Sequence, residues 1–272
     1  MTAPSSADRT PRRIVCLTEE TTETLYLLGE EARIVGISGF TVRPPRARKE
    51  KPRVSAFTSA KIGRILALEP DLVLAFSDLQ ADIAADLVRR GVEVHALNHR
   101  SVEGIYRMML TVGALIGESA KAQALVAGLE QGVEAVRAEA ARLPRRPRVY
   151  FEEWDEPMIS GIRWVSELIG IAGGDDCFPE LAAQPLGRDR IIADPLEVAR
   201  RAPDIIVGSW CGKKFRPEKV AARPGWAGVP AVRDGSLHEI KSADILQPGP
   251  AALTDGLAQL AAIVRRWAER TA

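Results

Sequence analysis

A cysteine followed closely by two lysines is the most obvious candidate for covalent chemistry in this chain. Cys211 lies in the stretch Ser-Trp-Cys-Gly-Lys-Lys, directly after the apolar run Ile-Ile-Val-Gly. Hydrolase nucleophile turns have the pattern Gly-x-Ser-x-Gly or its cysteine equivalent, but Gly208 precedes Cys211 by three residues instead of two. A thiolate nucleophile also needs an imidazole nearby. The pattern argues against catalysis by Cys211, and we predict a protein that is not an enzyme.

A metal site is the second chemistry that the sequence could support. Together with a glutamate, His95, His99 and Asp244 would supply ligands that suit zinc or manganese. No histidine, however, follows the first or the fourth strand-like segment, where a ligand is expected. The three cysteines have no Cys-x-x-Cys spacing, and no glycine-rich nucleotide motif is present. We therefore predict no metal and no catalytic cofactor.

Aromatic residues are scarce, at 5% of the chain, yet several of them follow strand-like segments. Ligands of open parallel sheets bind beyond the carboxyl ends of the strands, and aromatic surfaces are typical of small-molecule sites. Each ring could instead cap the core of its own lobe. As a set they predict a ligand-binding surface, and the candidates are Phe40, Phe57, Phe76, Trp154, Trp164 and Trp210.

Charged residues share these positions. Glu19 and Glu20 follow the first strand-like segment, although they could equally be first-turn residues of a helix, where carboxylates favour the N-terminal dipole. If the acidic residues face one cleft, its walls are acidic, which favours a neutral or cationic ligand. The further candidates are the acids Asp78, Glu152, Glu153 and Asp244, with Lys213 as a counter-charge.

An internal repeat positions these residues. Arg-Ile-Val-Cys from Arg13 recurs as Arg-Val-Tyr-Phe from Arg148, and Glu-Pro-Asp-Leu-Val-Leu-Ala recurs as Ala-Pro-Asp-Ile-Ile-Val-Gly. A third pair of segments places His95 and His238 at equivalent positions. Strands that alternate with helical patterns indicate parallel sheets covered on both faces. We predict an α/β fold with two similar lobes, each with a mainly parallel sheet, joined by one long helix and separated by a ligand cleft.

The helical pattern between the two repeats has no counterpart in either. Over residues 118–143, apolar residues recur at spacings of three and four, with Ser119 as the N-cap and Pro144 as the stop. We interpret Gly128 and Gly132 as sites of close packing. The predicted organisation is a flexible N-terminal segment over residues 1–11, a lobe over 12–117, the connecting helix over 118–143 and a second lobe over 144–272.

The composition gives no support for nucleic-acid or membrane partners. Lys and Arg number 37 against 36 Asp and Glu, so no basic surface is indicated. No run approaches the roughly 18 apolar residues of a membrane helix, and the N-terminus lacks the apolar region of an export signal. We expect no membrane insertion and a cytoplasmic location, or a periplasmic one if a leader has been removed.

Several longer segments, over roughly residues 12 to 266, carry a family resemblance: RRIVCLTEETTETLYLLGEEARIVGIS, KPRVSAFTSAKIGRILALEPDLVLA, APDIIVGSW and QPGPAALTDGLAQLA. They resemble the helical-backbone substrate-binding proteins of ABC importers, which include cobalamin and ferric-siderophore receptors. The cobalamin-binding branch is the most similar and implies a corrinoid ligand held between the lobes against aromatic residues. The matching positions here are Glu19, Phe40, Phe57, Phe76, Trp154, Trp210 and the loop of Asp244.

One family feature is missing from the matching positions. Members that deliver their ligand to a permease present a surface glutamate on each lobe, and Gly63 and Leu196 stand at those positions here. Glu197 could substitute on the second lobe. The resemblance therefore implies that an ABC permease is a possible partner without the usual docking glutamates, which favours a cytoplasmic relative that does not dock.

Three functions remain open from the sequence. The first is a binding protein for a corrinoid-like small molecule. The second is the same fold with a ferric siderophore or another metabolite as its ligand, which arginines rather than carboxylates at the site would indicate. The third is an enzyme that uses Cys211 or a metal.

Overall fold

The computed structural model describes residues 9–271, which form two compact units. Unit 1 extends to His99 and resumes over Glu103–Gly128, whereas unit 2 comprises Arg100–Val102 and the chain from Leu129 onward. Each unit contains one sheet, so the predicted α/β class with two sheet-based lobes is confirmed. Most of the N-terminal segment predicted to be flexible, residues 1–8, lies outside the described residues.

Unit 1 is built on a parallel five-stranded sheet with the order β3-β2-β1-β4-β5. Its interior strands are continuous apolar runs, as expected when both faces of a parallel sheet are covered. Val15, Val73 and Ala75 pack with Ile65 and Leu87 from the flanking helices. The elements are β1 (Ile14–Cys16), α1 (Glu19–Leu27), β2 (Ile34–Ser38), α2 (Ala47–Glu50), β3 (Arg53–Ser55), α3 (Ile62–Leu66), β4 (Leu72–Phe76), α4 (Ala81–Arg89), β5 (Val94–Leu97) and α5 (Val102–Leu115), with 3-10 turns at Glu31–Arg33 and Asp78–Gln80.

The long helix predicted over residues 118–143 is present as α6 (Ser119–Ala140). The boundary between the two units falls within this helix, after Gly128. Our interpretation of Gly128 and Gly132 as sites of close packing is wrong. A Cβ added at either glycine would meet no atom within 4 Å.

Unit 2 contains a sheet with the order β10-β9-β6-β7, and β8 also pairs with β6. Strand β7 runs antiparallel to β6, and the other pairings are parallel. The elements are β6 (Arg148–Asp155), β7 (Met158–Ser160), α7 (Arg163–Ile171), β8 (Asp175–Asp176), α8 (Pro179–Ala182), α9 (Leu196–Arg201), β9 (Ile205–Gly208), α10 (Pro217–Ala221), α11 (Pro230–Arg233), β10 (Leu237–Glu239), α12 (Ser242–Ile245) and α13 (Leu257–Arg270), with a 3-10 turn at Gly187–Arg190 and a π-helical turn at Ala252–Gly256.

The strand pairings confirm the internal repeat. In unit 1, β1 pairs with β4, which pairs with β5; in unit 2, β6 pairs with β9, which pairs with β10. His95 is opposite Leu74 and His238 is opposite Val207, so the two histidines are equivalent, as predicted.

A repeated Pro-Asp pair explains part of the sequence similarity. Asp71 accepts a hydrogen bond from the backbone nitrogen of Arg13 at 2.9 Å, and Asp204 accepts one from Arg148 at 2.8 Å. Each aspartate thereby ties the beginning of one central strand to the beginning of its neighbour. The hydrogen bond needs a side-chain acceptor at this position, which explains why the aspartate recurs in both units.

Among residues 9–271, no helix is both long enough and apolar enough to span a membrane.

Candidate functional site

Strand β6 ends in a charged sequence, Glu152-Glu153-Trp154-Asp155, at the carboxyl edge of the unit 2 sheet. This is the edge at which ligands of parallel sheets bind. Each of the three acids is paired with a basic side chain from a later part of the chain. The pairs differ in burial and in geometry, and these differences determine what the edge can bind.

The Glu152 carboxylate is fully buried and accepts four hydrogen bonds. Arg223 donates two of them, from Nη1 at 2.6 Å and from Nη2 at 2.9 Å. The Tyr150 hydroxyl donates a third at 2.9 Å and the Trp210 Nε1 a fourth at 3.0 Å. Burial, followed by the charge of Glu152, raises the pKa of Tyr150 well above its ordinary value, so the phenol keeps the proton that it donates. The guanidinium also lies over the Trp226 ring, 4.7 Å from its centroid.

Glu153 forms a similar pair with Arg190. Two guanidinium nitrogens of Arg190 contact the carboxylate, at 2.6 and 3.2 Å, and the guanidinium also donates to the backbone oxygen of Ser160. The Arg190 side chain is only 2% exposed. Planar two-point contacts of this kind hold both partners in one geometry.

Asp155 forms the third pair, with Lys213. The Lys213 Nζ lies 4.1 Å from the centroid of the Trp154 ring and 5.2 Å from that of the Trp210 ring. Lys213 itself is exposed and follows Gly212, which has a φ of +74°. The lysine is therefore the most accessible of the three cations.

These pairs correct the expectation of an acidic wall on unit 2. Each acid at the end of β6 has a cationic partner, so this edge is close to neutral. Sequence reasoning identified Glu153, Trp154 and Lys213 but missed Arg190 and Arg223. Arg190 ends the 3-10 turn at Gly187–Arg190 and Arg223 lies in the loop after α10, both far along the chain, where a basic residue is expected to be an ordinary solvated surface residue.

A cavity of about 830 Å³ opens beside this cluster. Its lining comes from the β6–β7 turn at residues 155–158, the segment 191–196, and residues 219–225 near the end of α10. The walls are largely apolar; Lys219 and Arg223 contribute positive charge, and Asp155 and Glu156 contribute negative charge. The volume is within the range of sites for drug-sized molecules, about 300–1,000 Å³.

Trp164 and Trp210 require a correction. We predicted rings on a ligand-facing surface, but each is only 4% exposed. The Trp164 Nε1 donates to the backbone oxygen of Ile245 at 2.9 Å, and the Trp210 ring packs edge-on against Phe215. An indole that follows a strand can turn inward when its N–H finds an acceptor there. Ligand contact by either ring stays a prediction.

In unit 1, one buried glutamine ties the carboxyl ends of three strands together. The Gln80 amide donates to the backbone oxygens of Leu17, at 3.3 Å, and Phe57, at 2.8 Å, while its oxygen accepts from the Phe76 nitrogen at 2.9 Å. Gln80 is 1% exposed. It fixes the loops after β1, β3 and β4, a role that no local sequence pattern indicates.

Glu19 and Glu20 lie in the first turn of α1, as the helical alternative had it, and both are buried. Burial, followed by the charge of Glu20, raises the pKa of Glu19 to about 8. Burial also raises the pKa of Glu20 to about 7, despite a hydrogen bond from the Thr18 hydroxyl. Asp78 is exposed at the start of the 3-10 turn after β4.

The remaining candidates occupy varied environments. Phe40 is 58% exposed, whereas Phe76 is buried edge-on against His99, with the ring centroids 5.2 Å apart. Phe57 is half-buried. Asp244 lies in the short helix α12 rather than in a loop, and it accepts a hydrogen bond from Gln259 at 3.1 Å.

The described residues contain no group of three or more His, Cys, Asp or Glu side chains that could hold a metal ion. A smaller cavity of about 250 Å³ lies at the end of β5, with His95, His99 and Arg107 in its lining. Burial raises the pKa of both Cys16 and Cys177 to about 12, so these thiols are poor nucleophiles.

Two α/β units with a ligand-sized cavity at the carboxyl edge of one sheet define a two-lobed binding protein of small molecules. Residues 14–243 match the family described as periplasmic binding protein. The match covers most of the chain, so the protein belongs to the periplasmic binding protein family. Members of this family are substrate-binding proteins rather than enzymes.

Curated relatives extend the match to most of the chain. A cobalamin-binding protein of Halobacterium salinarum is 24% identical over 89% of this chain and 67% of its own length. A vitamin B12-binding protein of Vibrio parahaemolyticus is 24% identical over 91% and 87%. An uncharacterized ABC transporter substrate-binding lipoprotein of Bacillus subtilis is 23% identical over 92% and 79%. The family description as periplasmic binding protein and the lipoprotein name of the Bacillus subtilis relative give no support to the expected cytoplasmic location.

Solved structures share the fold. The periplasmic heme-binding protein RhuT of Roseiflexus sp. RS-1 superposes with a TM-score of 0.81 at 22% identity, covering 94% of this chain and 99% of the other. The periplasmic vitamin B12-binding protein BtuF of Vibrio cholerae gives 0.76 at 21% identity, covering 95% and 98%. The superpositions establish the fold, and identities this low leave the ligand open.

Proposed function

We propose that this protein binds a corrinoid and resembles the substrate-binding component of an ABC importer, whether or not it docks on a permease. The observation that carries the proposal is the set of cobalamin- and vitamin B12-binding relatives, which align with about nine-tenths of the chain. The geometry of unit 2 supports it, because its acidic edge is neutralised by paired cations. A large ligand rimmed with uncharged amides suits such an edge better than a highly charged one does.

Trp154 is the aromatic residue of this edge that we expect to contact the corrinoid. Its ring is half-buried and its Nε1 donates to the backbone oxygen of Glu156 at 2.8 Å, which fixes the orientation of the indole. A fixed and partly exposed indole offers a flat surface at little cost in side-chain entropy.

A ferric chelate such as heme is the second candidate. Arg223 and Lys219 line the cavity of unit 2, and basic side chains suit the carboxylates of such ligands. Both terminal nitrogens of Arg223 already bind Glu152, however, which leaves Lys219 as the more available cation. We therefore rank the corrinoid first.

Docking on a permease is a separate expectation. Gly63 and Leu196 are both exposed at the positions where the family presents glutamates, and Glu197 is paired with Arg200 and Arg201. We expect weak or no complex with a cognate permease in a pull-down from detergent. Tight docking would contradict this expectation but would leave the proposal of a corrinoid ligand unaffected.

Calorimetric titration with cyanocobalamin tests the ligand, with hemin as the comparator. We expect one cobalamin per chain, and we expect Trp154→Leu to weaken binding by about 1 kcal/mol or more, the scale of a lost aromatic contact. Trp267→Phe, in the terminal helix α13, is the control and should bind like the unchanged protein. Absence of heat with cobalamin would reject the corrinoid, and saturation by hemin would establish the second candidate.

A further inference from the structure

The three ion pairs at the end of β6 are not equally easy to displace. Arg223 and Arg190 are held by two-point contacts, and their side chains are 16% and 2% exposed. Lys213 is 39% exposed, has a single ammonium group, and extends from a turn that contains Gly212. A lysine is a compact point charge on a flexible stem, so one contact does not fix it as a guanidinium fork is fixed.

The two indole rings that surround the Lys213 ammonium are held in place by other parts of unit 2. The Trp154 indole is fixed through its hydrogen bond to Glu156, and the Trp210 indole through Glu152. Trp210 also packs against Phe215, with the ring centroids 5.0 Å apart. The Asp155 side chain is only 9% exposed. The hydrogen bonds that hold the two indoles do not involve the lysine, whereas the Asp155 carboxylate is paired with it.

Two indole rings and a carboxylate around one ammonium group form a receptor for an organic cation. A cation within about 6 Å of an indole centroid is attracted by the face of the ring, and the nearby carboxylate adds a charge of opposite sign. The distances of 4.1 and 5.2 Å from Nζ to the two centroids meet this condition.

We propose that Trp154, Trp210 and Asp155 form a binding site for an organic ammonium group, which the chain fills with its own Lys213 as a displaceable internal cation. A ligand that carries an ammonium group must displace Lys213 to enter this site. A ligand without one leaves the lysine in place. Lys213 thus selects the ligand by charge at this position, and this inference goes beyond the proposed function because it holds for any ligand of the protein.

Tetramethylammonium is the probe that tests the site, because it reproduces the charge and size of the group without other contacts. The five indole N–H resonances of the labelled protein are followed by NMR during titration of wild type and Lys213→Ala, with potassium chloride keeping the ionic strength constant. Lys214→Ala is the matched control, since it removes the same charge from the neighbouring position.

We expect saturable shifts of the Trp154 and Trp210 resonances in Lys213→Ala, at a probe concentration at least about tenfold lower than in wild type. Lys214→Ala and Lys213→Arg should behave like wild type, and adding Asp155→Asn to Lys213→Ala should abolish the response. Equal responses of Lys213→Ala and Lys214→Ala, or no response of the Trp154 and Trp210 resonances, would overturn the proposal. Cobalamin plays no part in this titration, so its outcome is distinct from that of the corrinoid test.

Discussion

Replacing Glu152 by alanine is the perturbation whose cost follows most directly from the structure. The substitution leaves the Arg223 guanidinium, whose side chain is 16% exposed, without its counter-ion. It also leaves the buried Tyr150 hydroxyl and the Trp210 Nε1 without their acceptor. Removing one member of a buried ion pair costs about 3–5 kcal/mol. We expect Glu152→Ala to lower the stability of unit 2 by about that amount.

Tryptophan fluorescence during urea denaturation measures this loss in unit 2 alone. All five tryptophans, at positions 154, 164, 210, 226 and 267, belong to that unit. The matched control is Glu197→Ala, because Glu197 is more exposed and its pairs with Arg200 and Arg201 are surface pairs. Surface pairs contribute about 0–1 kcal/mol, so this variant should remain close to wild type.

A double variant separates the charge from the packing. In Glu152→Gln with Arg223→Met, no charge is left unpaired; the amide oxygen accepts from the Trp210 Nε1 and the amide nitrogen donates to the Tyr150 hydroxyl oxygen. Replacement of a whole buried pair is often close to neutral, so we expect this double variant to be more stable than Glu152→Ala. A loss below about 1 kcal/mol in Glu152→Ala would refute our account of this network.

Two further predictions concern the long helix and unit 1. Gly128→Ala and Gly132→Ala should each stabilise the protein by up to about 1 kcal/mol, because both positions have open space and alanine favours a helix. Thermal unfolding of the two variants measures this gain. A loss of stability would contradict the open space at these positions. The native pKa values of Glu19 and Glu20, about 8 and about 7, lie above the ordinary 4.5, so the native state binds more protons than the unfolded state between those limits. The stability of unit 1 should therefore fall as the pH rises from about 4.5 to 8. Hydrogen exchange of the α1 amides, measured over this pH range, reports that stability, and Glu19→Gln should make it depend less on pH. An unchanged pH dependence in Glu19→Gln would argue against a raised pKa of Glu19.

The fold was largely predictable because its signals are local and repeated. Interior parallel strands such as Leu72–Phe76 and Ile205–Gly208 are continuous apolar runs, and the Pro-Asp pair before each has the same role in both units. The long helix could be recognised from its apolar spacing and from Pro144, although it ends at Ala140, before the proline.

The candidate site was predicted less completely because its partners are distant in sequence. Arg190 is 37 residues from Glu153, and Arg223 is 71 residues from Glu152. No local pattern indicates such a pairing. Without the two arginines, the sequence at the end of β6 predicts an acidic surface. The same limit applies to Trp210, because the acceptor that draws its indole inward lies on another strand.

Hydrogen–deuterium exchange with and without cyanocobalamin tests most directly whether the protein binds a corrinoid at this edge. We predict that saturating cobalamin slows exchange in peptides that cover residues 152–158, while peptides of α13 remain unchanged. Unchanged exchange at residues 152–158 under saturating cobalamin, or protection confined to other segments, would contradict the account.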